Sequence, residues 1–334
     1  MIVTDVKATQ PIAQNSPNDW RTSLGQILVT IETDEEFIGH GVGGGGLAGA
    51  HVVQTVLRDL VIGKNADEIE SIWHQMYQAT LPFGRKGIAI MALSGVDLAL
   101  WDLRGKAQQK PIVELLGGTV GKPIPTYATV WNEIPAHMLD EHHAFKLHVE
   151  ELDSVVDAVW RAREAIGPDR PLMIDAWMRW DLETTLRIAK ECEEARLDWI
   201  EEPLPPDDLE GYAHLRDHCP VPIAGGEHEF TANGFKELIN RRLHSVLQPD
   251  VCWCGGLTEL IKIYEMARSA GLRVCPHRGA EIWSLHAIAA LDEQPLAESG
   301  RPWMTWVGGQ PSIIEGNITT HNSPGFGVAI RTEG

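Results

Sequence analysis

Cysteine is scarce in this chain: Cys192, Cys219, Cys252, Cys254 and Cys275 are an odd set of five with no C-x-x-C spacing. A disulfide scaffold is therefore excluded, and a reducing cytoplasm is the expected home. Cys252-Trp-Cys254 lacks the spacing of a zinc site. Basic residues are also few. Lys plus Arg total 28 against 47 Asp plus Glu, a formal charge of −19. A nucleic-acid footprint needs a basic face, so that partner is excluded. An anionic substrate is not excluded, because a bound divalent cation reverses the local sign. No apolar stretch reaches membrane-spanning length, and Met1-Ile-Val-Thr-Asp5 begins like a strand, without a basic segment or a long apolar run. A soluble, unexported protein with no membrane partner is expected. A dinucleotide loop is missing in substance though present in form. Gly39-His-Gly41-Val-Gly-Gly44 matches G-x-G-x-x-G, but a hairpin precedes it and two helices follow. A turn, or a flexible run bordering a pocket, is the better reading.

What is present is a chain of 334 residues, 43% hydrophobic and 22% charged, enough for one large barrel or two domains. Ile27-Leu-Val-Thr-Ile31, a polar Thr33-Asp-Glu-Glu36 and Phe37-Ile-Gly39 predict an antiparallel hairpin. Helical patterns follow over Ala48–Leu60, Ala66–Gln78 and Ile88–Lys106, and Leu115-Leu-Gly-Gly118 stops the last block. From Ile124 the rhythm becomes strand, helix, strand, helix. Candidate strands are Ile124–Val130, Ala144–His148, Leu172–Ile174, Trp199–Ile200, Ile223–Ala224, Ser245–Leu247, Arg273–Cys275 and Leu296–Ala297. Eight strands in this order predict an α/β fold, a β/α (TIM-type) barrel with one irregular crossover allowed. The expected division is an α+β N-terminal capping domain over 1–118 and a barrel over 119–307. A C-terminal segment over 308–334, with Pro324-Gly-Phe-Gly327, is expected to return to the cap.

Three carboxylates stand 26 residues apart: Asp175, Glu201 and Glu227. Each follows a short apolar run: Pro171-Leu-Met-Ile174, Leu197-Asp-Trp-Ile200 and Val221-Pro-Ile-Ala224. One strand, one helix and two turns use about that many residues, so the acids leave successive strands at the same end. Converging carboxylates repel unless a cation sits among them, and hard oxygen ligands suit Mg²⁺. The register continues. Asp250 comes 23 residues after Glu227, His277 a further 27, and Glu298 a further 21. Lys146-Leu-His148 sits 27 to 29 residues before Asp175. All of these reach one pocket if the strands form a barrel. An Asp that hydrogen-bonds a His fixes its tautomer and suits it to proton transfer. Lys146 and His148 are placed to bind a carboxylate oxygen or move a second proton. Glu202, the neighbour of Glu201, is expected to make a structural ion pair or hydrogen bond. His228 is open between supporting a ligand and touching substrate. Trp177 and Trp253 are expected to pack, with Trp177 also a candidate pocket wall.

With these residues the chain resembles the enolase superfamily, in its mandelate racemase subgroup, and is most similar to the rhamnonate dehydratase-like sugar-acid dehydratases. The motifs are Ile174-Asp-Ala-Trp177, Trp199-Ile-Glu-Glu-Pro203, Gly225-Gly-Glu-His-Glu229, Gln248 to Leu257 and Pro276-His277, with Ser94 to Asp102 and Leu115 to Gly118 upstream. The resemblance implies that Asp175, Glu201 and Glu227 bind Mg²⁺, that Asp250 supports His277 as acid/base, and that Glu298 bonds a substrate oxygen. It implies a cap whose first loop, around Ser16 to Arg21, closes over substrate, and a homo-oligomer. Arg21 carries a fork-shaped donor suited to an acid sugar's carboxylate or hydroxyls; Arg85 is a weaker candidate for the same task. The implied chemistry is abstraction of the proton next to a carboxylate, giving an enediolate that Mg²⁺ and nearby cations stabilise. A Lys or His base working beside Mg²⁺ is the general pattern of this superfamily. Loss of the β-hydroxyl then yields a 2-keto-3-deoxy sugar acid. A racemase, epimerase or lactone cycloisomerase working through the same enolate is the alternative, and a non-enzymatic binding protein is a third reading. Relatives often carry Lys-x-Lys where this chain has Lys146-Leu-His148. His148 therefore stays open between a second acid/base and a satisfied pocket residue.

Overall fold

The computed structural model describes residues 1–12, 18–149 and 152–331. Of the loop expected to close over substrate, Ser16 lies outside the described residues, as does Asn15 before it. Strands β1 (Val3–Thr9), β2 (Ile27–Thr33) and β3 (Ile38–Gly43) form an antiparallel sheet in that order. The polar run between β2 and β3 is the expected turn, and Glu36 takes its left-handed φ of 64°. The helix Ile88–Ala107 packs on β3, buried on nearly every side. The reason lies in the glycine run. A Cβ on Gly39, Gly41 or Gly43 would stand 2.2, 2.1 or 2.4 Å from the carbonyl oxygens of Ala99, Gly95 and Met91. Those three helix positions are four residues apart and share one face. These glycines are thus neither a turn nor a pocket border but a seam where helix backbone rests on strand backbone.

Eight parallel strands follow: β4 (Ile124–Trp131), β5 (Ala144–His148), β6 (Leu172–Asp175), β7 (Trp199–Glu201), β8 (Ile223–Gly225), β9 (Val246–Leu247), β10 (Arg273–Val274) and β11 (Ala297–Glu298). Their order is β10-β9-β8-β7-β6-β5-β4-β11, and the pairing of Ala297 with Thr126 brings the last strand beside the first. Between β10 and β11 no ladder forms among the described residues; there Cys275 Sγ lies 3.5 Å from the Leu296 carbonyl oxygen. Helices connect the strands except between β4 and β5, where the short 3-10 turn Ala136–Asp140 makes the irregular crossover. Each strand, or a residue at its edge, sends one side chain into an interior plug of Tyr127, Ala144, Met173, Trp199, Ala224, Val246, Cys275 and Leu296. The barrel interior is thus filled below the strands' C-terminal ends, where an active site is expected in such a fold.

Three short strands complete the chain. β12 (Val307–Gly308) pairs with β14 (Ala329–Ile330), and β13 (Asn317–Ile318) lies antiparallel on β4. Between them the chain touches the long N-terminal helix, where the Phe326 N–H donates to Asp102 Oδ1 at 3.0 Å. The same helix is tied to the loop after β9 and to the start of the helix that follows it: Gly255 N–H donates to Ser94 Oγ at 2.9 Å, and Thr258 N–H to Asp97 Oδ2 at 3.0 Å. No helix among the described residues is long and apolar enough to cross a membrane.

Candidate active site

His148, Asp175 and Glu201 are Cα partners across β5, β6 and β7, so their side chains leave the sheet on one face. Lys146, two residues earlier on β5, shares that face. Its Nζ lies 2.6 Å from Glu201 Oε1, 3.1 Å from Glu298 Oε1 and 3.3 Å from Asp175 Oδ2, and it is 1% exposed. Burial opposes the ammonium charge, yet Glu201, Glu298 and Asp175 outweigh it and hold the Lys146 pKa well above the usual range. Burial, together with Asp175, Glu298 and Glu227, pushes Glu201 well up in spite of Lys146. Burial also pushes Glu298 upward, but Lys146 and Arg278 prevail and lower it. The floor therefore carries more carboxylate than its lysine can neutralise. An oxygen donor set short of positive charge fits a hard divalent cation.

The carboxylates converge unevenly. Among the described residues, the His, Cys, Asp and Glu donor atoms that all lie within 4.8 Å of one another belong to Glu202, Glu227 and His228. Those of Asp175, Glu201 and Glu227 do not come that close. Lys146 and Gln248 Nε2, 2.6 Å from Glu201 Oε2, hold the Glu201 carboxylate from both sides. Glu202 accepts from His228 Nδ1 at 2.6 Å and from the Gly226 N–H at 3.2 Å. His228 also comes within 3.5 Å of Glu227 Oε1 and stands behind that residue, off the cavity wall.

The proton-transfer pair sits across the ring. His277 Nδ1 is 2.9 Å from Asp250 Oδ2, so it donates there and leaves Nε2 turned to the floor, 3.1 Å from Glu227 Oε2. Asp250 is anchored by the Cys252 N–H on Oδ1 at 2.8 Å and by Arg301 Nη2 on Oδ2. Burial pushes the Asp250 carboxyl up, but Arg301 and His277 together bring it down to about 2. Arg301 in turn donates to Glu281 Oε2 at 2.6 Å. Glu298 accepts from Thr129 Oγ1 and, at 2.8 Å, from the Arg278 N–H.

A cavity of about 440 Å³ opens above this floor. Lys146, His148, Asp175, Glu227, His277 and Glu298 line it, as does Arg21 at the mouth. Glu201 and Asp250 lie one layer behind. Arg21 is paired with Asp19 at 2.5 Å and sits over the Trp303 ring at 6.0 Å. His148 Nδ1 is 3.3 Å from Asp175 Oδ2, and its ring lies 5.3 Å from that of Trp131. Arg85 is not on the wall; its neighbour Lys86 bonds Glu229 at 2.8 Å. Trp253, expected only to pack, joins Trp20, Trp131, Trp177 and Trp303 in the wall. Sequence reasoning also missed Arg301, Thr129 and the contact made by Gln248. Gln248 alone left a signal, standing two residues before Asp250 on the same strand end.

Two family models match the chain: "Mandelate racemase / muconate lactonizing enzyme, N-terminal domain" over residues 2–117 and "Enolase C-terminal domain-like" over residues 133–334. The chain is 38% identical to an L-rhamnonate dehydratase of Saccharopolyspora erythraea over 329 residues, covering 93% of this chain and 84% of that protein. The crystal structure of a 3,6-anhydro-D-galactonate cycloisomerase from Zobellia galactanivorans superposes with a TM-score of 0.89 at 28% identity, covering 99% of this chain and 97% of the other. A rhamnonate dehydratase from Gibberella zeae complexed with Mg gives a TM-score of 0.88 at 28% identity, covering 99% and 94%. By sequence, fold and the order of its strand-end residues, the chain belongs to the enolase superfamily, in its mandelate racemase and muconate lactonizing enzyme branch.

Proposed function

We propose that the chain is a Mg²⁺-dependent sugar-acid dehydratase, a hydro-lyase that takes the proton next to the carboxylate and expels the β-hydroxyl. The observation that carries this reading is the His277–Asp250 pair, with Nε2 facing a floor that holds Lys146 and four buried carboxylates. Supporting it are the 38% identity to an L-rhamnonate dehydratase and the Mg in a structurally similar rhamnonate dehydratase. Asp175, Glu201 and Glu227 would hold the metal, with His228 and Glu202 supporting Glu227. A bound Mg²⁺ supplies positive charge where the substrate carboxylate becomes an enediolate.

The chain's own residues supply the rest. His277 Nε2 takes the α-proton, and Asp250 keeps the Nδ1 proton in place and balances the imidazolium that results. Lys146 adds charge on the other side of the floor. Glu298, kept ionised by Lys146 and Arg278, accepts a hydrogen bond from a substrate hydroxyl. The protonated His277 then gives its proton to the departing β-hydroxyl, and the enol becomes the 2-keto-3-deoxy acid. Trp177 and Trp20, stacked at 6.2 Å, both line the cavity in which this step takes place. The same reading takes residues 1–118 as the cap, 119–307 as the barrel and 308–334 as the returning segment, in a homo-oligomer in the cytoplasm. The test is incubation with Mg²⁺ and a panel of sugar acids, followed by 2-keto acid detection. Product from at least one acid is expected, and none across a broad panel with metal bound would refute the reading.

His148 favours a second reading. It stands on β5, well round the ring from β10, and lines the cavity. An acid/base group there serves an epimerase or a cycloisomerase. α-Proton exchange in deuterated water without loss of water would favour that chemistry, and His148→Asn would then abolish it.

A further inference from the structure

We infer that Arg179 receives a second carboxylate, so that the substrate is a sugar diacid and not a monoacid; this rests on the dehydratase reading above. The cations of the cavity wall differ in what they already hold. Lys146 is 2.6 Å from Glu201, and Arg21 is 2.5 Å from Asp19. Arg301 is 2.6 Å from Glu281 and also bonds Asp250, while Arg278 stands 3.9 Å from Glu298. Arg179 is different. It is exposed, lines the cavity, and among the described residues has no acid partner; its guanidinium carbon lies 5.1 Å over the Trp177 ring. A guanidinium laid on an indole keeps its edge N–H donors free. That edge is a planar fork matched to a carboxylate, in a geometry that a lone hydroxyl cannot fill.

The backbone beneath Arg179 is firmly held. Trp177 and Met178 both take left-handed φ values, 43° and 62°, which non-glycine residues rarely adopt. Four hydrogen bonds fix the turn: Trp177 N–H to Asp175 Oδ1 at 3.0 Å, Met178 N–H to Glu202 O at 2.6 Å, Arg179 N–H to Ala176 O at 3.0 Å and Trp180 N–H to Pro203 O at 3.0 Å. Strained backbone persists where the surroundings over-determine it, commonly at ligand clamps. Its effect here is to tie Arg179 to the floor. Asp175 begins the turn, and the Trp177 ring lies 6.1 Å from that of His148. One indole therefore links the reacting end of the cavity to the free guanidinium. A substrate with its first carboxylate on the floor and a second at its far end satisfies both.

The test compares acids of one configuration that differ only at the far terminus: D-gluconate with D-glucarate, D-galactonate with galactarate, D-mannonate with D-mannarate. Each is assayed with the Mg²⁺-loaded protein for 2-keto acid, and each is titrated by calorimetry against the wild type, Arg179→Gln and Arg179→Lys. The best diacid is expected to exceed its monoacid partner at least tenfold in kcat/KM. Arg179→Gln should remove that preference mainly through KM, and Arg179→Lys should restore part of it. Equal or better turnover of the monoacid, or a preference unchanged in Arg179→Gln, overturns the inference and leaves the dehydratase reading standing. If no pair loses water, the dehydratase reading is left to the broader panel, and calorimetry decides on Arg179 alone. Tighter binding of the diacid to the wild type and not to Arg179→Gln supports the inference; equal binding overturns it.

Discussion

One oxygen of Asp250 accepts two charged or polar donors, His277 Nδ1 and Arg301 Nη2. The arginine keeps the carboxylate ionised in a buried place, and the carboxylate keeps the imidazole in the tautomer that exposes Nε2. Asp250→Asn is expected to cut kcat by about 10²–10⁴-fold, the usual share of a positioned acid/base system. It has a second signature in stability. The Asp250 carboxyl moves from an ordinary 3.8 to about 2 in the fold. A depressed carboxylate stabilises fully above its unfolded value, and that contribution, about 2 kcal/mol, disappears as pH falls through 2. Urea denaturation between pH 4 and pH 2 should therefore show a shallower acid decline in Asp250→Asn; parallel declines would reject this assignment. The sequence made Asp175, Glu201, Glu227, Asp250, His277 and Glu298 legible because each polar group ends or closely follows an apolar run. Arg301 and Arg179 were illegible for a physical reason. Both sit in irregular loops, where no period marks which side chains turn inward, and only the left-handed turn at Trp177 and Met178 aims Arg179.

The elements show the same division. Apolar runs located every barrel strand, but they stopped one residue short at β4, β6, β7, β8 and β11, because Trp131, Asp175, Glu201, Gly225 and Glu298 are themselves in the strands. A strand-end carboxylate pointing into a cavity has no apolar signature, although its backbone continues the ladder. The long helix was legible from its spacing, whereas its seat was not. Gly39, Gly41 and Gly43 matched a nucleotide motif in form, and only the helix lying on them shows that what they provide is the absence of a Cβ. Gly41→Ala would push a methyl to 2.1 Å from the Gly95 carbonyl oxygen. Backbone has to move there, and a loss of about 1–3 kcal/mol is expected from overpacking. Equilibrium unfolding measures it; a change below about 0.5 kcal/mol, the range of an ordinary surface substitution, would mean that the seam is not close-packed.

For the whole molecule, the charge of −19 and the acidic floor act in the same direction. The floor makes the folded state a better host for a divalent cation than the unfolded chain, which carries the same charge but whose acids lie far apart. Chelation should lower the thermal midpoint, and Mg²⁺ should restore it, worth about 2.7 kcal/mol at a hundred times the dissociation constant. Identical midpoints in chelator and in millimolar Mg²⁺ would count against the metal site. Asp102 is fully buried and takes the His40 N–H at 2.9 Å, Lys106 Nζ at 2.6 Å and the Phe326 N–H at 3.0 Å. The last donor is 224 residues downstream. On a ribosome adding 5–20 residues per second, that is a wait of roughly 10–45 s. Throughout that interval Asp102 lacks its last donor, and the barrel strands must be synthesised before it arrives.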